Sequence, residues 1–193
     1  MFKNVYKVGF LIFIVIMVAF FITNIFFRDI NYYRTSITLS AFLLPFIFAV
    51  GAFLSVTTYS RWKKTLSFKE AYGRAFMPMF VGGILSLSSI YLYITHIDSS
   101  SKDLLNYQYI ESFSRALDEE YNKGKNVFKP GSEEMIDIEN KYKEGQVRIE
   151  NKKKAQEDMF SLKYFGYIFA GYCAYFLLLS LFFGSFFRTR NYA

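Results

Sequence analysis

Apolar and polar residues alternate along this chain in long blocks. Four stretches, residues 8–27, 35–60, 75–95 and 164–187, carry no Asp, Glu, Lys, Arg or His. Each is about as long as the roughly 20 residues a helix needs to cross the hydrocarbon of a bilayer. Inside lipid the backbone has to satisfy its own hydrogen bonds, so the pattern predicts four transmembrane helices and not strands. The fold class expected is all-α, an integral membrane bundle with one hydrophilic insertion between the third and fourth spans.

That insertion, residues 97–163, holds 12 basic and 14 acidic residues. Two amphipathic helices are legible in it. In the first, Leu104, Tyr107, Ile110, Phe113 or Ser114, Leu117 and Tyr121 recur at three- and four-residue spacing. Ser99-Ser100-Ser101 can cap it, and the glycine of Asn122-Lys123-Gly124 is a plausible stop. The second follows Pro130-Gly131, with Ser132 as cap and Glu133 and Glu134 in the first turn. Its stripe of Met135, Ile138, Tyr142 and Ile149 is broken at Gly145, and its charged distal part could continue into the fourth span. A helical hairpin outside the membrane is expected.

Composition agrees with this map: 53% of the 193 residues are hydrophobic and 21% aromatic. Aromatics stand at the span edges, where amphipathic rings settle among head groups: Tyr32, Tyr33, Tyr59, Trp62, Tyr91, Tyr93, Tyr164 and Tyr167. The net charge of +7 is a topology signal and does not indicate nucleic acid. Lys3, Lys7, Arg61, Lys63, Lys64, Lys69, Arg74, Arg188 and Arg190 belong to the three segments on one side of a four-span protein, against the single acid Glu70. Short Lys/Arg-rich loops stay inside, so both termini are expected in the cytoplasm, with 97–163 external. The first apolar run is longer than a signal-peptide core, and no small-x-small site follows it, so it reads as a retained span. One cysteine, Cys173, excludes an intramolecular disulfide and a cysteine metal cluster.

Local motifs favour structural over chemical readings. Ser67-Phe68-Lys69-Glu70 fits a capping box, so a helix should start at Ser67 and run into the third span. Arg61, Lys63, Lys64, Lys69 and Arg74 around it are candidate head-group contacts. Pro45 and Pro78 fall inside spans and predict kinks. Small residues at Gly166, Ala170 and Ala174, and at Gly82 and Ser86, nominate the third and fourth spans as a tight pair, or a face for a partner or a second copy. Uncharged spans argue against ion-coupled pumping. His96, two residues from Asp98, is a poor metal signature alone. No catalytic, cofactor or metal residues are nominated.

The stretch Leu66-Ser67-Phe68-Lys69-Glu70-Ala71-Tyr72-Gly73-Arg74-Ala75-Phe76, the span spacing and the helical insertion before the last span resemble domain-of-unknown-function family 4199, small bacterial membrane proteins. The resemblance implies a four-span topology and no activity. The leading expectation is an accessory or assembly subunit in a bacterial inner membrane, without catalysis or cofactor of its own. A transporter or channel for a neutral or apolar solute is the second reading. A membrane enzyme, or its partner, acting on lipid-linked substrates is the third.

Overall fold

The computed structural model describes residues 4–155 and 158–189. Lys3 and Arg190, two of the nine topology cations, lie outside the described residues, as do Gln156 and Glu157. Among the described residues the chain is all-helical. Its helices are α1 (Val5–Phe26), α2 (Tyr32–Lys63), α3 (Phe68–Ile97), α4 (Ser99–Val127), α5 (Glu133–Lys154) and α6 (Leu162–Phe187). Four of them, α1, α2, α3 and α6, are long and apolar enough to cross a membrane, which makes this a multi-pass membrane protein. The shortest, α1, has 22 residues, or about 33 Å of rise against a hydrocarbon core of about 30 Å. The chain forms two compact units: the four-helix bundle through Ser99 and from Phe160, and the hairpin Ser100–Met159.

In the bundle each span buries one stripe. Val8, Ile12 and Ile16 of α1 repeat every fourth residue, as do Phe48, Ala52 and Val56 of α2 and Ala71, Ala75 and Met79 of α3. With Phe176 and Phe183 of α6 they form one core. Lipid is as apolar as these side chains, so close packing and not water exclusion holds the spans together. The α1 and α3 helices approach backbone to backbone. A Cβ on Gly82 would lie 2.9 Å from the Gly9 carbonyl oxygen and 2.6 Å from Ile12. Only glycine lets these two backbones come so near.

The third and fourth spans do pack together, but not through Gly82, Gly166, Ala170 or Ala174. Gly82 serves α1. Against α6 the third span uses Gly83, on which the Phe176 ring rests, with Phe80 beside Phe169 and Tyr91 beside Phe165. Gly166, Ala170 and Ala174 lie on the exposed side of α6. The small-residue spacing carries no direction; the larger buried stripe of Phe165, Phe176, Ser180 and Phe183 decides which face turns inward.

Two of the spans contain a π-helical turn. In α2 it covers Leu39–Leu43, where the Leu44 N–H reaches the Leu39 carbonyl, just ahead of Pro45. In α3 it covers Tyr93–Ile97, closed by the Asp98 N–H on the Tyr93 carbonyl at 2.9 Å. Pro45 has no N–H to offer the widened turn, and two tyrosines of α6 reach the backbone there. The Tyr172 hydroxyl donates to the Ser40 carbonyl (2.8 Å) and the Tyr175 hydroxyl to that of Pro45 (3.0 Å). Pro78, by contrast, sits buried inside a helix that continues through it.

In the hairpin, α4 begins at Ser99, so the three serines form its first turn instead of preceding it. It continues past Gly124 to Val127. That glycine is a packing point and not a stop: a Cβ there would lie 2.7 Å from Ile138 of α5. Gly145, expected to break the second stripe, is likewise buried within α5, where a Cβ would meet Leu117 at 2.6 Å. Tyr121 stacks on Tyr142 with centroids 4.4 Å apart, and the Tyr142 hydroxyl donates to Asp118 at 2.8 Å. That carboxylate pushes the phenol pKa up. Ser132 caps α5 by accepting from the Met135 N–H, and Gly131 makes the turn at φ +83°. The helix then stops at Lys154 instead of running on into the fourth span. Asp158 is held by Lys102 and the Asn106 amide, each at 3.1 Å, and α6 starts afresh after Ser161.

Candidate functional site

The nominated residues gather at one end of the bundle, where α2 stops, α3 starts and α6 finishes. The α2 helix ends at Lys64, whose φ of +66° is uncommon for a residue with a Cβ. Three residues later α3 begins with a capping box. The Glu70 N–H donates to the Ser67 hydroxyl oxygen (3.3 Å), and the Glu70 carboxylate accepts from the Ser67 N–H (3.1 Å). The Ser67 hydroxyl donates to the same carboxylate oxygen at 3.0 Å. The other oxygen of Glu70 pairs with the Lys63 ammonium, which ties the last turn of α2 to the first turn of α3.

The cations therefore divide. Lys63 is paired, and Arg74 is half-buried with its guanidinium carbon 3.6 Å above the centre of the Tyr59 ring. Such a stack needs a cation on an aromatic face, and it takes Arg74 out of the outward-facing set. Arg61, Lys64 and Lys69 stay exposed, as do Lys7 and Arg188. The only carboxylate among these segments, Glu70, is engaged by Lys63 and the cap. This end of the bundle is strongly positive.

One link here has no signal in the local sequence. The Thr189 N–H donates to the Leu66 carbonyl, and the Leu66 N–H donates to the Thr189 hydroxyl oxygen, both at 2.8 Å. Leu66 itself is 2% exposed. This pairing fastens the segment after α6 to the α2–α3 turn, and it brings Arg188 to the edge that already holds Lys64 and Lys69.

The opposite end of the bundle is built differently. Asp98, at the end of α3, accepts from both terminal nitrogens of Arg28 (3.3 and 3.4 Å) and from the Asn24 amide (3.3 Å). The Tyr32 hydroxyl donates to the Asn24 carbonyl oxygen at 2.7 Å. Tyr32 is 1% exposed, so it belongs to this network and not to the head-group edge assigned to it. Asp98 turns toward Arg28 and Asn24, while His96 is exposed. Among the described residues no group of three or more His, Cys, Asp or Glu side chains could hold a metal ion.

No curated protein and no solved structure matches the chain. A family model does: residues 7–189 match "Protein of unknown function (DUF4199)". The chain belongs to the DUF4199 family.

Proposed function

We propose that this DUF4199 protein is a non-catalytic accessory or assembly subunit of a membrane complex, resident in a bacterial inner membrane. Both termini are then cytoplasmic and 97–163 is external. The observation that carries the reading is the filled interior of the bundle. Its centre is occupied by Phe48, Val56, Ala75, Met79 and Phe176, each at most 2% exposed, with the Phe48 and Phe176 rings 4.7 Å apart. Interiors packed this way resist rearrangement and suit a scaffold. The charged and hydrogen-bonded groups at the two ends are left to meet head groups and neighbours.

The test is purification in a mild detergent, followed by identification of the partner and reciprocal capture from its side. The protein is expected to run with a defined partner at fixed stoichiometry. A lone monomer that restores a deletion strain in a heterologous host overturns the reading. The topology has a separate check: a reporter fused after Arg190 reads as cytoplasmic, and one inserted near Gly131 reads as external.

A second reading, a pathway for a neutral or apolar solute, draws on the π-helical turn before Pro45, since irregular backbone within a span often marks a moving part. It predicts solute flux in liposomes above that of empty vesicles, and flux equal to empty vesicles across a broad panel removes it.

A further inference from the structure

The pairing of Thr189 with Leu66 joins two segments 123 residues apart, and it sits among cations. Two hydrogen bonds of 2.8 Å hold the post-α6 segment against the α2–α3 turn. Arg188 is thereby fixed one residue from the clamp, Lys64 two residues from its other half, and Lys69 in the first turn of α3. All three are exposed. Glu70, the carboxylate of the α2–α3 connection, is already engaged by Lys63 and the Ser67 cap. The flanking surface is apolar and partly exposed: Trp62, beside Tyr59, is 59% exposed, and Phe68, one edge of which rests on Gly184 of α6, is 39% exposed.

We propose that Lys64, Lys69 and Arg188 form a binding site for the phosphate of an anionic phospholipid, preassembled by the Thr189–Leu66 clamp. Three exposed cations on one edge attract a phosphate whatever it is attached to. Trp62 and Phe68 choose the lipid over the free ion. They extend the apolar surface of the spans up to the cations, so an acyl chain and its glycerol backbone lie along rings while the phosphate meets the charges. The clamp sets the geometry, because its two bonds hold the residue after Arg188 against the α2–α3 turn. This inference rests on the membrane reading, and it is independent of whether the protein serves a larger complex.

The experiment is native mass spectrometry of the full chain released from detergent carrying phosphatidylglycerol or phosphatidylcholine, with inorganic phosphate as a third arm. Preferential retention of phosphatidylglycerol is expected, with inorganic phosphate at equal concentration failing to displace it. Each cation near a membrane surface contributes about fivefold in affinity, so K64Q/K69Q/R188Q should lose on the order of a hundredfold in phosphatidylglycerol affinity. T189V keeps every charge and removes the hydroxyl that accepts from Leu66; it should also weaken phosphatidylglycerol, while R148Q in the hairpin changes nothing. Thermal unfolding and gel filtration confirm that each variant is folded. Equal retention of the two lipids, an unchanged triple variant, or displacement by inorganic phosphate overturns the lipid site. An unaffected T189V overturns the clamp. The subunit reading fails separately, by loss of the captured partner, and the triple variant should still bring that partner down.

Discussion

The two ends of the bundle solve the same problem in opposite ways. At one end Asp98, Arg28, Asn24 and Tyr32 come from three helices and their connections, and the charge is neutralised where it is half-buried. The Asp98 side chain is 13% exposed and that of Arg28 37%. At the other end the pairings of charged groups are short-range in sequence, and the long-range link, Leu66 with Thr189, carries no charge. Lys63 meets Glu70, Arg74 meets Tyr59, and the remaining cations face outward. A polar network that crosses helices fixes their mutual position, and each member left unpaired costs a desolvation penalty. A cap and an exposed ion pair fix only a turn and leave surplus charge available for a ligand. The first end is built to hold; the second is built to hold lightly and to present charge.

Substitutions at the two ends can break or sharpen this contrast. The largest effect is expected from Asp98→Ala, which leaves the Arg28 guanidinium and the Asn24 amide without their shared acceptor and should cost about 2 kcal/mol. Thermal unfolding in a fixed detergent measures it. Tyr32→Phe removes the donor to Asn24 in a buried site and should cost about 1.5 kcal/mol, and in combination with Asp98→Ala the two should fall short of additive. At the other end, Ser67→Ala deletes the cap of α3 and should cost about 1 kcal/mol, with hydrogen exchange rising at the amides of residues 68–71. Lys63→Ala should change unfolding least of all, because an exposed pair contributes little. If Ser67→Ala or Lys63→Ala proves costlier than Asp98→Ala, the basic end is the rigid one and the contrast is reversed.

What the sequence reveals follows the range of the interaction. The four apolar blocks, the Ser67–Glu70 capping box and the Ser132 cap are readable because their partners lie within a few residues. Asp98 and Arg28 are 70 residues apart, and Leu66 and Thr189 are 123 apart, so neither link leaves a local trace. Asp98 was visible only as a neighbour of His96. The glycines mislead for a related reason. Gly124 and Gly145 have the composition of a stop and a break, but each is kept small by a side chain on the other helix of the hairpin. Gly166, Ala170 and Ala174 have the spacing of a helix-packing face and lie on the outside of the bundle. Of the nominated cations, the sequence could not distinguish Arg61, Lys64 and Lys69, which stay exposed, from Lys63 and Arg74, which are taken up by a carboxylate and a ring.

The π-helical turn at Leu39–Leu43 bears on how chains of this kind can change length. A residue inserted into or deleted from an ordinary helix rotates everything beyond it by roughly 100°, which would swing Phe48, Ala52 and Val56 out of the core. A widened turn absorbs one extra residue locally. Deleting a single residue within 39–43 therefore lets the chain close as a regular helix, with Pro45 still facing Tyr175. The same deletion between Pro45 and Val56 misaligns the buried stripe. Aligned members of the family should accordingly show one-residue gaps at 39–43 and at the second such turn, Tyr93–Ile97, and not in the stretches of α2 and α3 between them.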